Sequence, residues 1–142
     1  LDGQGEIRIF ASDISTKVLS KARTGVYGWD RVSNLKQPFL KQYFQTGTGR
    51  QAGNVRVKEF VRERITFERI NLMEPFPFGE EFDVIFCRNV MIYFDKKTQE
   101  RLVNKFHDLL VDGGYLFIGH SESLTGVNHP LRYIVPTVYK KG

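Results

Sequence analysis

The residues best placed to do chemistry are Cys87, Arg88, Asn89 and Tyr93, which interrupt an otherwise apolar stretch, FDVIFCRNVMIYF, at residues 82–94. Polar groups appear there just where a strand core would be expected to continue. Their types suit binding and orientation rather than covalent attack. Cys87 has no histidine base beside it and reads as a small strand-end residue, not a nucleophile. His107 falls within a predicted helix and His120 at a predicted strand end, so surface or capping roles suit them. One cysteine and three scattered histidines give no metal-ligand spacing, so no metal is expected.

The elements around this group fix where it must lie. Val84, Ile85 and Phe86 form an unbroken apolar run, the pattern of a parallel strand covered on both faces. Parallel α/β sheets bind ligands just beyond the carboxyl ends of their strands, which puts Arg88, Asn89 and Tyr93 in ligand position. Asp95 is a suitable N-cap for a helix over 96–111, with Leu102, Phe106, Leu109 and Leu110 at helical spacing and Gly113-Gly114 as the stop. A second buried strand is predicted at 115–119, followed by His120-Ser121-Glu122-Ser123, and a last edge strand at 133–140.

The first half begins with a polar, glycine-containing lead at 1–6 and a strand at 7–12 that ends on Asp13. Ser15 can cap a helix over 16–23 that buries Val18, Leu19 and Ala22 on one face, with Gly25 as terminator. Strand, acidic residue and capped helix make a β-α unit. A carboxylate in the place of Asp13 can accept two ribose hydroxyls when a strand and glycine loop precede it; otherwise it is a turn or cap residue. No such strand and loop precede it, so the chain is expected to lack its first β-α unit.

The middle breaks the β-α rhythm. Residues 27–34 read as irregular with Trp29 packed on the sheet, 38–43 as a short helix, and 45–54 as a glycine-rich loop. VRVKEF (55–60) and ITFERI (65–70) alternate apolar and charged residues, the sign of half-exposed strands in a small antiparallel sheet. Residues 44–70 therefore read as an inserted β-subdomain. Arg50, Arg56, Lys58, Arg62, Arg64 and Arg69 concentrate there among Glu59, Glu63 and Glu68. Such a run is either a solvated face or a surface that steers an acidic protein partner. Gly47, Gly49 and Gly53 serve either hairpin turns or a binding loop.

At 142 residues the chain suits one domain with a real core. No apolar run approaches the ~20 residues of a membrane span, and no leader pattern opens the chain. A single cysteine excludes an internal disulfide and suits the reducing cytoplasm.

The runs FASDIS…VLSKARTGVY, Asn71-Leu72 and FCRNVMIYFD…GGYLFIGHSES together resemble the chemotaxis receptor methyltransferases, the CheR family, over nearly the whole chain. The resemblance implies an α/β fold: a class I, Rossmann-like methyltransferase sheet without its first β-α unit, carrying a small inserted antiparallel β-subdomain. It implies that residues 1–142 are part of a catalytic domain that uses S-adenosylmethionine to esterify glutamates on the cytoplasmic helices of chemoreceptors, leaving S-adenosylhomocysteine. By that likeness Asp13 holds the ribose hydroxyls, Asn71 and Leu72 border the adenine, and Cys87 and Arg88 border the cofactor. Arg88 also orients a carboxylate, with Tyr93 near the transferred methyl. Gly47, Gly49, Gly53 and Arg56 match a hairpin by which some members of the family dock the receptor C-terminal tail. A different reading makes the chain a non-catalytic module that binds that tail. A nucleic-acid methyltransferase is disfavoured, because no aromatic stacking platform lies beside a basic groove.

Overall fold

The computed structural model describes residues 5–142; the first four residues of the expected polar lead lie outside them. The chain divides into two compact units, Leu1–Glu74 and Pro75–Gly142.

The first unit starts with β1 (Ile9–Asp13) and α1 (Thr16–Thr24). The Ser15 hydroxyl accepts the Val18 N–H at 3.3 Å, and Gly25 closes the helix in the left-handed conformation (φ 66°) while donating to the Lys21 and Ala22 carbonyls. Both ends of α1 thus satisfy backbone groups the helix leaves open. Leu19 is buried, whereas Val18 is half exposed, so the apolar face is narrower than its spacing suggested.

Next come β2 (Val26–Gly28), α2 (Gln37–Tyr43), β3 (Phe44–Thr46) and β4 (Asn54–Val57). They build an antiparallel sheet in the order β2-β4-β3 over a core of Val32, Leu40 and Val55, with Tyr27 and Phe44 against it. The region 27–34 is therefore more ordered than expected. Trp29 opens a single 3-10 turn and is 44% exposed, so its main chain rather than its ring ties the turn to the sheet, through N–H donation to Gly53 at 2.9 Å.

The predicted strand at 55–60 stops at Val57, because β2 and β3 are only three residues long and offer no partner beyond it. The chain turns instead into α3 (Glu59–Arg62). β5 (Ile65–Arg69) pairs in parallel with β1, from Ile9↔Ile65 to Asp13↔Arg69. Its alternation marked a half-exposed strand correctly but not the antiparallel sheet; within this unit the antiparallel strands lie within residues 26–57. α1 packs on β1 and β5.

The second unit is built from β6 (Phe82–Cys87), α4 (Lys96–Leu109), β7 (Leu110–Ile118), β8 (Arg132–Val135) and β9 (Val138–Lys140), with strand order β6-β7-β9-β8. β6 and β7 are parallel; β7, β9 and β8 are antiparallel. The Asp95 carboxylate caps α4 by accepting the Thr98 N–H at 2.8 Å. Leu102, Val103 and Phe106 supply its buried face.

Three expectations change in this unit. α4 ends at Leu109 rather than at the glycines, since Leu110 is fully buried in the sheet opposite Phe82 and draws the chain straight into β7. The last segment is a hairpin, β8 and β9, not one edge strand. Among the described residues, β6 is not covered on both faces. Alternation puts Cys87 on one face with Leu116 and Ile118, all buried, and puts Val84 (41% exposed) and Phe86 (71% exposed) on the other. Phe86 stacks on Phe117 there, with centroids 4.9 Å apart. No helix among the described residues is long and apolar enough to cross a membrane.

Candidate functional site

The polar group after β6 is held by atoms contributed from elsewhere in its unit. Beyond Cys87 the chain leaves the sheet, and Asn89 takes a positive φ of 60°. A 3-10 turn, Met91–Tyr93, follows. A non-glycine residue at positive φ is uncommon, though asparagine tolerates it better than most, and its surroundings must hold it.

Glu122 provides that hold. Its carboxylate accepts four backbone N–H groups: Gly119 at 2.6 Å, Met91 at 2.8 Å, Asn89 at 2.9 Å and Val90 at 3.0 Å. Burial raises the Glu122 pKa, but these four bonds outweigh it and hold the group below its ordinary value. Gly119 permits the approach. A Cβ at that position would stand 2.5 Å from the Asn89 side-chain oxygen and 2.7 Å from Glu122 Oε2. On the other flank, Gln99 of α4 donates from Nε2 to the carbonyls of Met91 (2.8 Å) and Phe94 (3.1 Å).

The anchored loop leaves Arg88 and Tyr93 open. Arg88 is exposed and makes no hydrogen bond or ion pair among the described residues; Tyr93 is 81% exposed. Cys87 is the opposite case. It is 6% exposed, and burial, with the negative charge of Glu122 second, pushes its pKa up to about 12. Cys87 is therefore a neutral thiol near neutral pH, unsuited to nucleophilic attack. His120 is exposed beside this loop.

In the first unit, Asp13 and Asn71 come to the same end of the β1–β5 pair, where the Ile70 N–H donates to the Asp13 carbonyl at 3.3 Å. Asp13 Oδ1 accepts the Ser15 N–H at 2.8 Å, which leaves Oδ2 to accept another donor. Asn71 is engaged locally: its Oδ1 accepts the Met73 N–H at 3.0 Å and its Nδ2 donates to Glu74 at 3.2 Å. Leu72 is half-buried in that turn.

The glycine loop is an ordered connection between β3 and β4. Gly47 N–H donates to Asn54 at 2.8 Å, and a Cβ on Gly47 would collide with the Gln51 carbonyl. Gly49 and Gly53 both have positive φ. Arg56 Nε donates to the Thr24 carbonyl at 3.3 Å, at the end of α1. The neighbouring cations are used in the same way: Arg62 on Arg23 O, Arg64 on Phe60 O, Arg69 on Ile14 O and Lys58 on Lys41 O. Much of the basic run therefore ties loops and helix ends to each other through main-chain carbonyls. Among the described residues, no group of three His, Cys, Asp or Glu could hold a metal ion.

A family model described as the SAM-binding domain of CheR methyltransferase matches residues 2–139. The chain belongs to the CheR methyltransferase family. It is 47% identical over 137 residues to the chemotaxis protein methyltransferase of Borreliella burgdorferi, covering 96% of this chain and 47% of that protein. It is 46% identical over 134 residues to chemotaxis protein methyltransferase 2 of Pseudomonas aeruginosa, covering 94% and 48%. To the Escherichia coli K12 chemotaxis protein methyltransferase it is 42% identical over 136 residues, covering 95% and 48%. The chain thus spans about half the length of the curated relatives it matches.

Among solved structures, the N-methyltransferase NodS of Bradyrhizobium japonicum aligns with a TM-score of 0.52 at 12% identity, over 94% of this chain and 73% of that one. That likeness concerns the fold, which is the α/β, Rossmann-like class I methyltransferase architecture. The matched region is the cofactor-binding domain, so S-adenosylmethionine is its cofactor.

Proposed function

We propose that this domain serves an S-adenosylmethionine-dependent methyltransferase that esterifies glutamate side chains on the cytoplasmic helices of chemoreceptors, in the cytoplasm. The observation that carries the reading is the loop after β6, where an unpaired Arg88 and an open Tyr93 project from a backbone held by Glu122 and Gln99. The residue types fit the cofactor. Asp13 keeps a carboxylate oxygen for a ribose hydroxyl, and Arg88 keeps its full fork of donors for a carboxylate.

When bound, the cofactor supplies an already activated methyl on a sulfonium. A glutamate is ionised near neutral pH, so it needs no base to become a nucleophile. The work left to the protein is alignment and exclusion of water. In this reading Asp13 binds ribose, Asn71 and Leu72 border adenine, and the Cys87 backbone lines the cofactor. Arg88 orients a carboxylate of cofactor or substrate, and Tyr93 shapes the methyl position.

The test is transfer of labelled methyl from S-adenosylmethionine to a receptor cytoplasmic fragment by the full-length protein, read as base-labile ester. Arg88→Ala should lower turnover by about 10²-fold. Unchanged turnover in that variant removes Arg88 from the mechanism, and absence of ester with the unaltered protein overturns the reading.

One observation favours a second role. β3 is the edge of its antiparallel sheet and lies beside the glycine loop, so an extended peptide has a strand to pair with. We read the antiparallel sheet as an inserted subdomain that docks the receptor C-terminal tail near Gly47, Gly49, Gly53 and Arg56, alongside catalysis or in place of it. A labelled receptor tail peptide should bind and be weakened by Arg56→Ala; no binding by the unaltered protein excludes this role.

A further inference from the structure

Glu122 anchors the loop through its main chain: the carboxylate accepts from backbone N–H groups of Asn89, Val90, Met91 and Gly119. Three of them, on Asn89, Val90 and Met91, are consecutive and open a 3-10 turn, a concave arrangement of amides that favours an anion. An ionised carboxylate offers about four acceptor sites, and here four donors meet it. The anchored residues lie between Arg88 and Tyr93, so the direction of both side chains depends on this backbone. Asn89 at φ 60° would relax without such a hold.

We propose that Glu122 is a positioning residue for methyl transfer: by gathering the N–H groups of residues 89–91 onto β7's end at Gly119, it fixes where Arg88 and Tyr93 point. The inference deepens the functional reading above and rests on it for the reaction itself. The carboxylate never meets the reacting atoms. Its chemistry is nevertheless specific, because a glutamine would turn an N–H toward one of the four donors. An aspartate keeps the charge but is one methylene shorter.

The test compares the full-length protein with its Glu122→Gln, Glu122→Asp and Gln99→Ala variants. For Glu122→Gln, kcat should fall by about 10²-fold, the scale of a misplaced reacting group. KM for the receptor fragment should change by less, within about threefold, since the lost bonds position the reacting groups and leave the rest of the receptor surface untouched. Glu122→Asp should recover part of kcat, and Gln99→Ala should lower it in the same direction by less. Amide exchange should report loss of protection across residues 88–93 in Glu122→Gln, with α1 unchanged.

A folded Glu122→Gln protein with unaltered kcat overturns the proposal. So does an Asp variant no better than the Gln variant, or a Gln variant with full protection at 88–93. If the unaltered protein makes no receptor ester, the functional reading falls. The exchange comparison then decides the clamp alone: lost protection supports it and retained protection overturns it.

Discussion

Two loops of this molecule are built on opposite plans. The loop at residues 87–93 is fixed by side chains from outside it, the Glu122 carboxylate on one flank and the Gln99 amide on the other. The loop at 47–53 is fixed by main-chain bonds, Gly47 to Asn54, Gln51 to Thr48 and Ala52 to Gly49 locally and Trp29 to Gly53 from the neighbouring turn. The side-chain bond from Asn54 to Gln51 is local and exposed. The first plan holds a backbone in an unfavourable conformation and leaves Arg88 and Tyr93 open. The second makes a compact turn with few long side chains. Alignment chemistry needs the first kind of support, while recognition of an extended peptide can use the second.

The difference can be broken most forcefully at Gly119. Gly119→Ala should destabilise the protein by about 3 kcal/mol in urea unfolding, because its Cβ would meet the Asn89 backbone nitrogen at 2.9 Å and a Glu122 carboxylate that can move only by giving up its hydrogen bonds. A midpoint equal to that of the unaltered protein would mean the loop is not packed as described. Gly47→Ala should cost less, about 1–2 kcal/mol, since the Gln51 carbonyl it meets lies on an exposed loop that can shift. It should also abolish tail-peptide binding while leaving amide protection at 88–93 intact. Loss of that protection would show that the two loops are not independently supported.

Acid gives the smallest and most local probe. The folded-state pKa of Glu122 is depressed, so its anchoring is complete above the ordinary carboxylate value of 4.5 and is lost as pH falls through the lower folded value. The amide resonances of Asn89, Val90, Met91 and Gly119 should therefore move together in one step below pH 4.5, absent in Glu122→Gln. Steps scattered among these residues, or one that persists in the variant, would assign the titration to another group. Resonances of the 47–53 loop should not take part.

What the sequence made legible follows from the range of each interaction. Ser15, Gly25 and Asp95 were readable because capping is settled within a few residues. Alternation in Ile65–Arg69 marked a strand but not its partner, since an alternating strand can pair with either direction and β1 lies far off in the chain. The apolar run of β6 concealed that Val84 and Phe86 share one exposed face. Leu110 was readable as helical by spacing, yet burial in the sheet ended the helix before it. The loop after β6 was visible from its polar residues. Its anchor was not: Glu122 acts more than thirty residues away on backbone amides, which have no residue signature. Its place in GHSES at a strand end was the one available sign.

The most direct measurement is a calorimetric titration of the full-length protein with S-adenosylhomocysteine, beside its Asp13→Ala variant. The account predicts saturable binding that weakens by about tenfold or more when the carboxylate is removed. Binding of equal affinity in the variant, or no binding by the unaltered protein, would contradict the assignment of these strand-end residues to the cofactor.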